Sequence, residues 1–175
     1  MAAEPTFEEL FRQTKRSAVH LEMRDGYMRS DQDFVSWSED PRSVQRLRPP
    51  ETRPWLSLMK EITSRGVEVR RARIFSEPMS DYLRYEHHLT PSNIAAGEIV
   101  RWLPRRRTSD LALPGNDFWL FDDSLVLFLH FTGDGELSPE GDEERSSAPE
   151  VVQLCRTAFE AVWERAVPHE EYRPF

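Results

Sequence analysis

The stretch Pro114–Gly135, PGNDFWLFDDSLVLFLHFTGDG, is the most hydrophobic part of the chain, and an acidic pair interrupts it. Phe118–Phe121 and Leu125–Phe131 read as two strands. Asp122-Asp123-Ser124 between them is good turn chemistry, because Asp side chains accept hydrogen bonds from nearby backbone amides. The alternative is that the acidic pair forms half of an active site. The choice separates an enzyme from a binding or regulatory protein.

Working outward, Thr6 and Glu9 make a capping box for a helix starting at Phe7. Val19, Leu21 and Met23 alternate with polar residues and predict a short strand. Residues 38–54 hold four prolines and many charges and read as a surface loop. A helix is expected over 52–65 with Gly66 as its stop, followed by the strand Val67–Phe75. A short helix over Ser80–Glu86 comes next, with Pro91 and Gly97 as punctuation, and then the strand Glu98–Leu103. After the hairpin, residues 133–147 are acidic and turn-rich. Ser147 and Glu150 form a second capping box, opening an amphipathic helix whose apolar face carries Val151, Leu154, Cys155, Ala158, Phe159, Val162 and Ala166. The order helix, strand, helix, strand, helix, strand, hairpin, helix predicts one α/β domain over residues 1–175, a central mixed sheet flanked by helices.

Composition narrows the function. Lys+Arg 23 against Asp+Glu 31 gives a net charge of -8, which argues against a general nucleic-acid coat, since phosphate binding needs a positive field. A single cysteine excludes an internal disulfide framework and a cysteine-rich zinc site. The N-terminal MAAEPTFEEL lacks a signal-peptide apolar core, and no apolar run reaches membrane-span length, so a cytoplasmic protein is expected. His87 and His88 are adjacent and point apart, and no metal, nucleotide or nucleophile-elbow motif occurs. No cofactor and no metal is therefore assigned.

The arginines of VEVRRARIF need an explanation. Arg71 and Arg73 share a strand face with Val67 and Val69, while Arg70 shares the other with Ala72 and Ile74. An edge strand would carry such charges to discourage sheet addition. Two alternatives are an anion or carboxylate pocket and internal pairing with Glu77, Asp81 or Glu86. Tyr82, Arg84, Tyr85 and His87 follow, either as a recognition surface or as a helix face closing the core.

The hairpin resembles one half-site of a phospholipase-D-like protein. There the pattern is His-x-Lys-x-x-x-x-Asp, with His as nucleophile and Lys on the phosphate. Counting back from Asp123 puts Phe118 at the Lys position and Asn116 at the His position, so only the Asp remains and the resemblance is one of fold without the chemistry. FEELFRQTKRSAVHLEMRDGY, RRARIFSEP, RWLPRRR and AFEAVWERAVPHEEYRP, with the hairpin, also resemble an uncharacterised actinobacterial, streptomycete-type family. That resemblance implies association with lambda-repressor-like helix-turn-helix regulators and small acidic partner proteins. The expected function is a non-enzymatic regulatory protein, toxin–antitoxin-like in arrangement. In it Arg71, Arg73 and Arg101, with Tyr82, Trp119 and His130, line a groove for an acidic protein segment or small anion, and Arg73 tolerates charge reversal without loss of fold. The enzymatic alternative is a diverged phosphodiesterase or nuclease using Asp117, Asp122, Asp123 and His130. Direct nucleic-acid binding would fall to Arg105–Arg107.

Overall fold

Seven strands form one sheet in the order β6-β5-β4-β1-β2-β3-β7, in a computed structural model that describes residues 4–41 and 52–174. The elements are α1 (Phe7–Gln13), β1 (Ser17–Glu22), α2 (Gln32–Glu39), α3 (Pro54–Ser64), β2 (Glu68–Phe75), α4 (Asp81–Ala95), β3 (Glu98–Pro104), β4 (Asp117–Phe121), β5 (Leu125–Leu129), β6 (Glu143–Ser146), α5 (Pro149–Arg165) and β7 (Val167–Pro168). Strands β1, β2 and β3 run parallel, and the remaining pairings are antiparallel. The expected mixed sheet flanked by helices is observed. No helix among the described residues is long and apolar enough to cross a membrane.

Alternation along each strand divides the core in two. One face buries Ala18, Val69, Trp119, Phe121 and Leu127 under α1 and α3. The other buries Leu21, Ala72, Ile74, Phe118 and Val126 against Cys155, Phe159 and Val162 of α5. A third cluster, with Tyr27, Trp37, Phe75, Tyr82, Tyr85 and Trp102, joins α2 and α4 to the first face.

Several expectations change. Strand β2 lies between β1 and β3, so the arginine-rich strand is interior and the edge-strand reading fails. The helix after it runs on to Ala95 through Pro91 and stops where Gly97 takes φ +100°, its missing Cβ leaving room for Thr63. The capping box at Thr6 and Glu9 forms, but the one at Ser147 does not: Ala148 is the N-cap of α5, with Pro149 at the first helical position. Charged β6 forms inside the expected acidic loop, as a sheet edge needing only one partner. Helix α2, capped by the Asp31 side chain, was not anticipated. Residues 42–51 of the expected proline-rich loop lie outside the described residues.

The acidic pair is a turn. Asp122 and Asp123 have φ 49° and 55°, the left-handed values of a tight turn within the three-residue connection, and Ser124 N–H donates to the Phe121 carbonyl at 2.9 Å. The Asp122 carboxylate accepts from the backbone N–H groups of Lys15, Arg16 and Ser17 at 2.9, 2.7 and 3.0 Å, tying the hairpin to the start of β1. Asp123 meets Arg156 of α5 at the surface.

Candidate functional site

Strand register brings polar residues together on the face under α3 and α4. His20 and Glu22 of β1 stand beside Arg71 and Arg73 of β2, and His20 stands beside Trp119 of β4. Glu22 is the hub. It accepts from Arg71 Nη1, from Arg73 Nε at 2.5 Å, and faces His20 Nε2 at 3.3 Å. Arg71 Nε donates to Glu98 at 2.9 Å; Arg73 donates to Glu86 at 2.7 Å and to Thr90 Oγ1 at 3.1 Å. Glu98 also accepts from Trp55 Nε1 and Asn93 Nδ2. The Arg71 guanidinium lies 5.4 Å from the ring centres of both Trp55 and Trp119, and Arg73 lies 5.0 Å from Trp102.

This network explains how so much charge is buried. Arg71 is 8% and Arg73 4% exposed, which is tolerable only because each guanidinium has two carboxylate partners. Burial pushes the Glu22 carboxyl up, but Arg73 and Arg71 outweigh it and hold it well below the usual range. Burial likewise raises Glu98, and Arg71 reverses the effect. Asp117 has no such cation: burial pushes it up to about 6, while its oxygens accept from Tyr27 Oη and, at 2.9 Å, from Met23 N–H. His20 stacks flat on Trp119 with ring centres 4.2 Å apart, and its Nδ1 donates to the Phe118 carbonyl at 2.8 Å.

Above this layer opens a cavity of about 590 Å³, lined by polar residues of the network and by Phe7, Trp55, Leu56, Tyr82, Tyr85, Leu89, Trp119, Leu129, Phe131 and Leu137. That size and lining suit a small organic ligand or an inserted side chain. Lining carboxylates outnumber cations: Glu22, Glu86, Asp117, Asp142 and Glu143 stand against Arg71 and Arg73, while Asp33 faces Arg53 at 3.7 Å and Asp31 is nearby.

Of the six expected groove residues, Arg71, Arg73, Tyr82 and Trp119 line this cavity. Arg101 does not: it projects toward α5, donating to the Trp163 carbonyl at 3.0 Å and stacking 4.5 Å from that ring. His130 follows Leu129, which faces the cavity, so it points to the other side of the sheet and meets Glu144 at 3.2 Å. The arginines are bound to the protein's own carboxylates, so neither is a vacant anion receptor, and charge reversal at Arg73 would break the core instead of leaving the fold intact. The acidic set of the enzymatic alternative is likewise dispersed. Asp117 lines the cavity, whereas Asp122 and Asp123 sit at the opposite end of β4, about 17 Å along the strand. Among the described residues, no group of three or more His, Cys, Asp or Glu is placed to hold a metal. Arg105 turns inward to the Met23 carbonyl, Arg106 meets Glu77, and the Arg107 carbonyl accepts from Arg165, so the three form no continuous stripe.

His20, Glu22, Tyr27, Trp55 and Glu98 were missed as site residues. The signal was present in SAVHLE, where His20 and Glu22 share one strand face in the same alternation as Arg71 and Arg73.

A family model described as a domain of unknown function, DUF6879, matches residues 5–174. The chain belongs to this family. No curated protein matches it. Among solved structures, a phospholipase D family member, Nuc from Salmonella typhimurium, aligns with a TM-score of 0.52 at 11% identity, covering 95% of this chain and 88% of that one. NucT from Helicobacter pylori aligns with a TM-score of 0.49 at 12% identity, covering 92% and 87%. The alignment with Nuc shows that the DUF6879 chain has a phospholipase-D-like fold, as the hairpin pattern led one to expect. At the positions where that pattern has Lys and Asp, Phe118 is fully buried against α5 and Asp123 pairs with Arg156 at the surface.

Proposed function

We propose that this protein is a non-enzymatic binding module, a phospholipase-D-like frame whose sheet-face cavity recognises a ligand or a segment of a partner protein. The observation that carries this reading is the cavity itself: aromatic and leucine walls over a floor whose arginines are neutralised from within. Such a floor is rigid and prearranged, which lowers the ordering cost of binding. A helix-turn-helix regulator is the partner that the family resemblance suggests. The acidic lining favours a basic or neutral segment of it over the acidic one expected from sequence, because like charges across a desolvated contact are costly.

Affinity capture from the native host tests the reading, comparing the tagged wild type with Leu137→Trp. Leu137 is 45% exposed at the cavity mouth, so the larger ring narrows the entrance without disturbing the core. Recovery of a regulator by the wild type and its loss with the variant supports the proposal. Equal recovery by both would place the contact elsewhere, and no recovery by either counts against a partner role.

One observation favours a second reading, a diverged phosphodiesterase. Asp117, pushed up to about 6, shares the cavity with His20, and a carboxyl titrating there is suited to general acid–base work. Hydrolysis of bis(p-nitrophenyl) phosphate by the wild type, abolished in Asp117→Asn, would establish it.

A further inference from the structure

Two polar groups in the cavity remain unused by the network, and they sit at different depths. At the floor, Arg71 is only 8% exposed and spends Nη1 and Nε on Glu22 and Glu98, yet its Nη2 makes no hydrogen bond to any described residue. At the mouth, the half-buried Asp142 carboxylate lines the opening and has no partner among the described residues; its backbone carbonyl accepts from His130 N–H. On the sheet, Trp119 of β4 and Leu129 of β5 stand between them and line the same cavity, and the strands that carry the two groups are four spacings, about 19 Å, apart.

Each feature selects a chemical group. The free Nη2 is a donor and calls for an acceptor oxygen. That oxygen is uncharged, because Glu22 and Glu98 already flank Arg71 and a third anion would meet their repulsion in a poorly solvated place. The unpaired Asp142 calls for a cation. The apolar walls call for an apolar or aromatic body.

Resting on the reading of the cavity as a binding site, we propose that its ligand is a small organic cation: an ammonium or guanidinium group held at Asp142 and an apolar body against Leu129, Phe131 and Leu137, with an uncharged oxygen reaching Arg71 Nη2 only in a longer ligand. Carboxylates and phosphates are rejected by the carboxylate excess of the lining.

Three compounds that share the phenylalanine skeleton test this by titration calorimetry: phenylalaninamide, a cation; N-acetylphenylalaninamide, which is neutral; and N-acetylphenylalanine, an anion. The cation is expected to bind about tenfold more tightly than the neutral compound, the ratio that one exposed ion pair with an aromatic contact supplies. The anion is expected to bind weakest, and added salt should narrow the spread. Asp142→Asn should bring the cation down to the affinity of the neutral probe, with thermal unfolding confirming an intact fold. Binding of the anion as tight as that of the cation would overturn the ligand class while leaving the cavity as the binding site. Affinities unchanged in Leu137→Trp, or no binding by any of the three, would overturn the ligand class together with the cavity reading.

Discussion

Replacing Glu22 with Gln removes one negative charge from between two buried guanidinium groups. Glu22 is 8% exposed and contacts Arg71, Arg73 and His20 at once. Breaking a buried ion pair costs about 3–5 kcal/mol, mostly from the charge left behind. Arg71 keeps Glu98 and Arg73 keeps Glu86, which places the cost near the lower end, about 3–4 kcal/mol. For a chain of this size that is a fall of about 6–16 °C in Tm. The assay is thermal and urea unfolding followed by circular dichroism, with Glu68→Gln as a control. Glu68 pairs with Arg70 from a largely exposed side chain, so the control should change stability by less than about 1 kcal/mol. Adding Arg73→Met to Glu22→Gln removes one stranded cation, and the double variant should lose clearly less than the sum of the singles. A loss below about 1 kcal/mol for Glu22→Gln, or strict additivity in the double variant, would refute the hub role assigned to Glu22.

Two further outcomes follow from neighbouring groups. Asp117 is raised in the folded state, so its contribution is fully present below the unfolded value near 3.8 and is lost as pH rises through about 6. Asp117→Asn should therefore gain stability over the wild type by about 2 kcal/mol between pH 4.5 and 7.5, read from urea titrations at each pH; parallel profiles would refute it. At the hairpin, Asp122→Ala loses three backbone hydrogen bonds and Asp123→Ala loses only a surface pair, while both share the same left-handed backbone. Asp122→Ala should be the more destabilising by about 1–2 kcal/mol, and equal effects would contradict the tie to β1.

Much of the fold was legible because its strands carry strong local patterns. Alternation marked β1, a mixed apolar and arginine run marked β2, and two apolar runs around an Asp pair marked β4 and β5. Elements with weak local signals were lost. Strand β6 is four polar residues that pair with one neighbour, and α2 is short with a sparse apolar face. Pro91 looked like a stop, yet α4 continues through it to Ala95. The site was half legible for a related reason. Which strand neighbours which is not written in any one segment, so the pairing of His20 and Glu22 with Arg71 and Arg73 emerged only from the parallel register. Without that register, an edge strand was the first reading of Arg71 and Arg73, the pairing with Glu86 that Arg73 does make was one alternative, and Arg101 and His130 looked like their neighbours. Alternation sends both of those to the opposite face.

The central claim is that the cavity on the phospholipase-D-like sheet is a binding site. Native mass spectrometry of the protein freshly purified from its host, wild type beside Leu137→Trp, tests it most directly. The account predicts an added mass or bound partner on the wild type that is absent from the equally folded variant. The same added mass on both, or none on either, would contradict it.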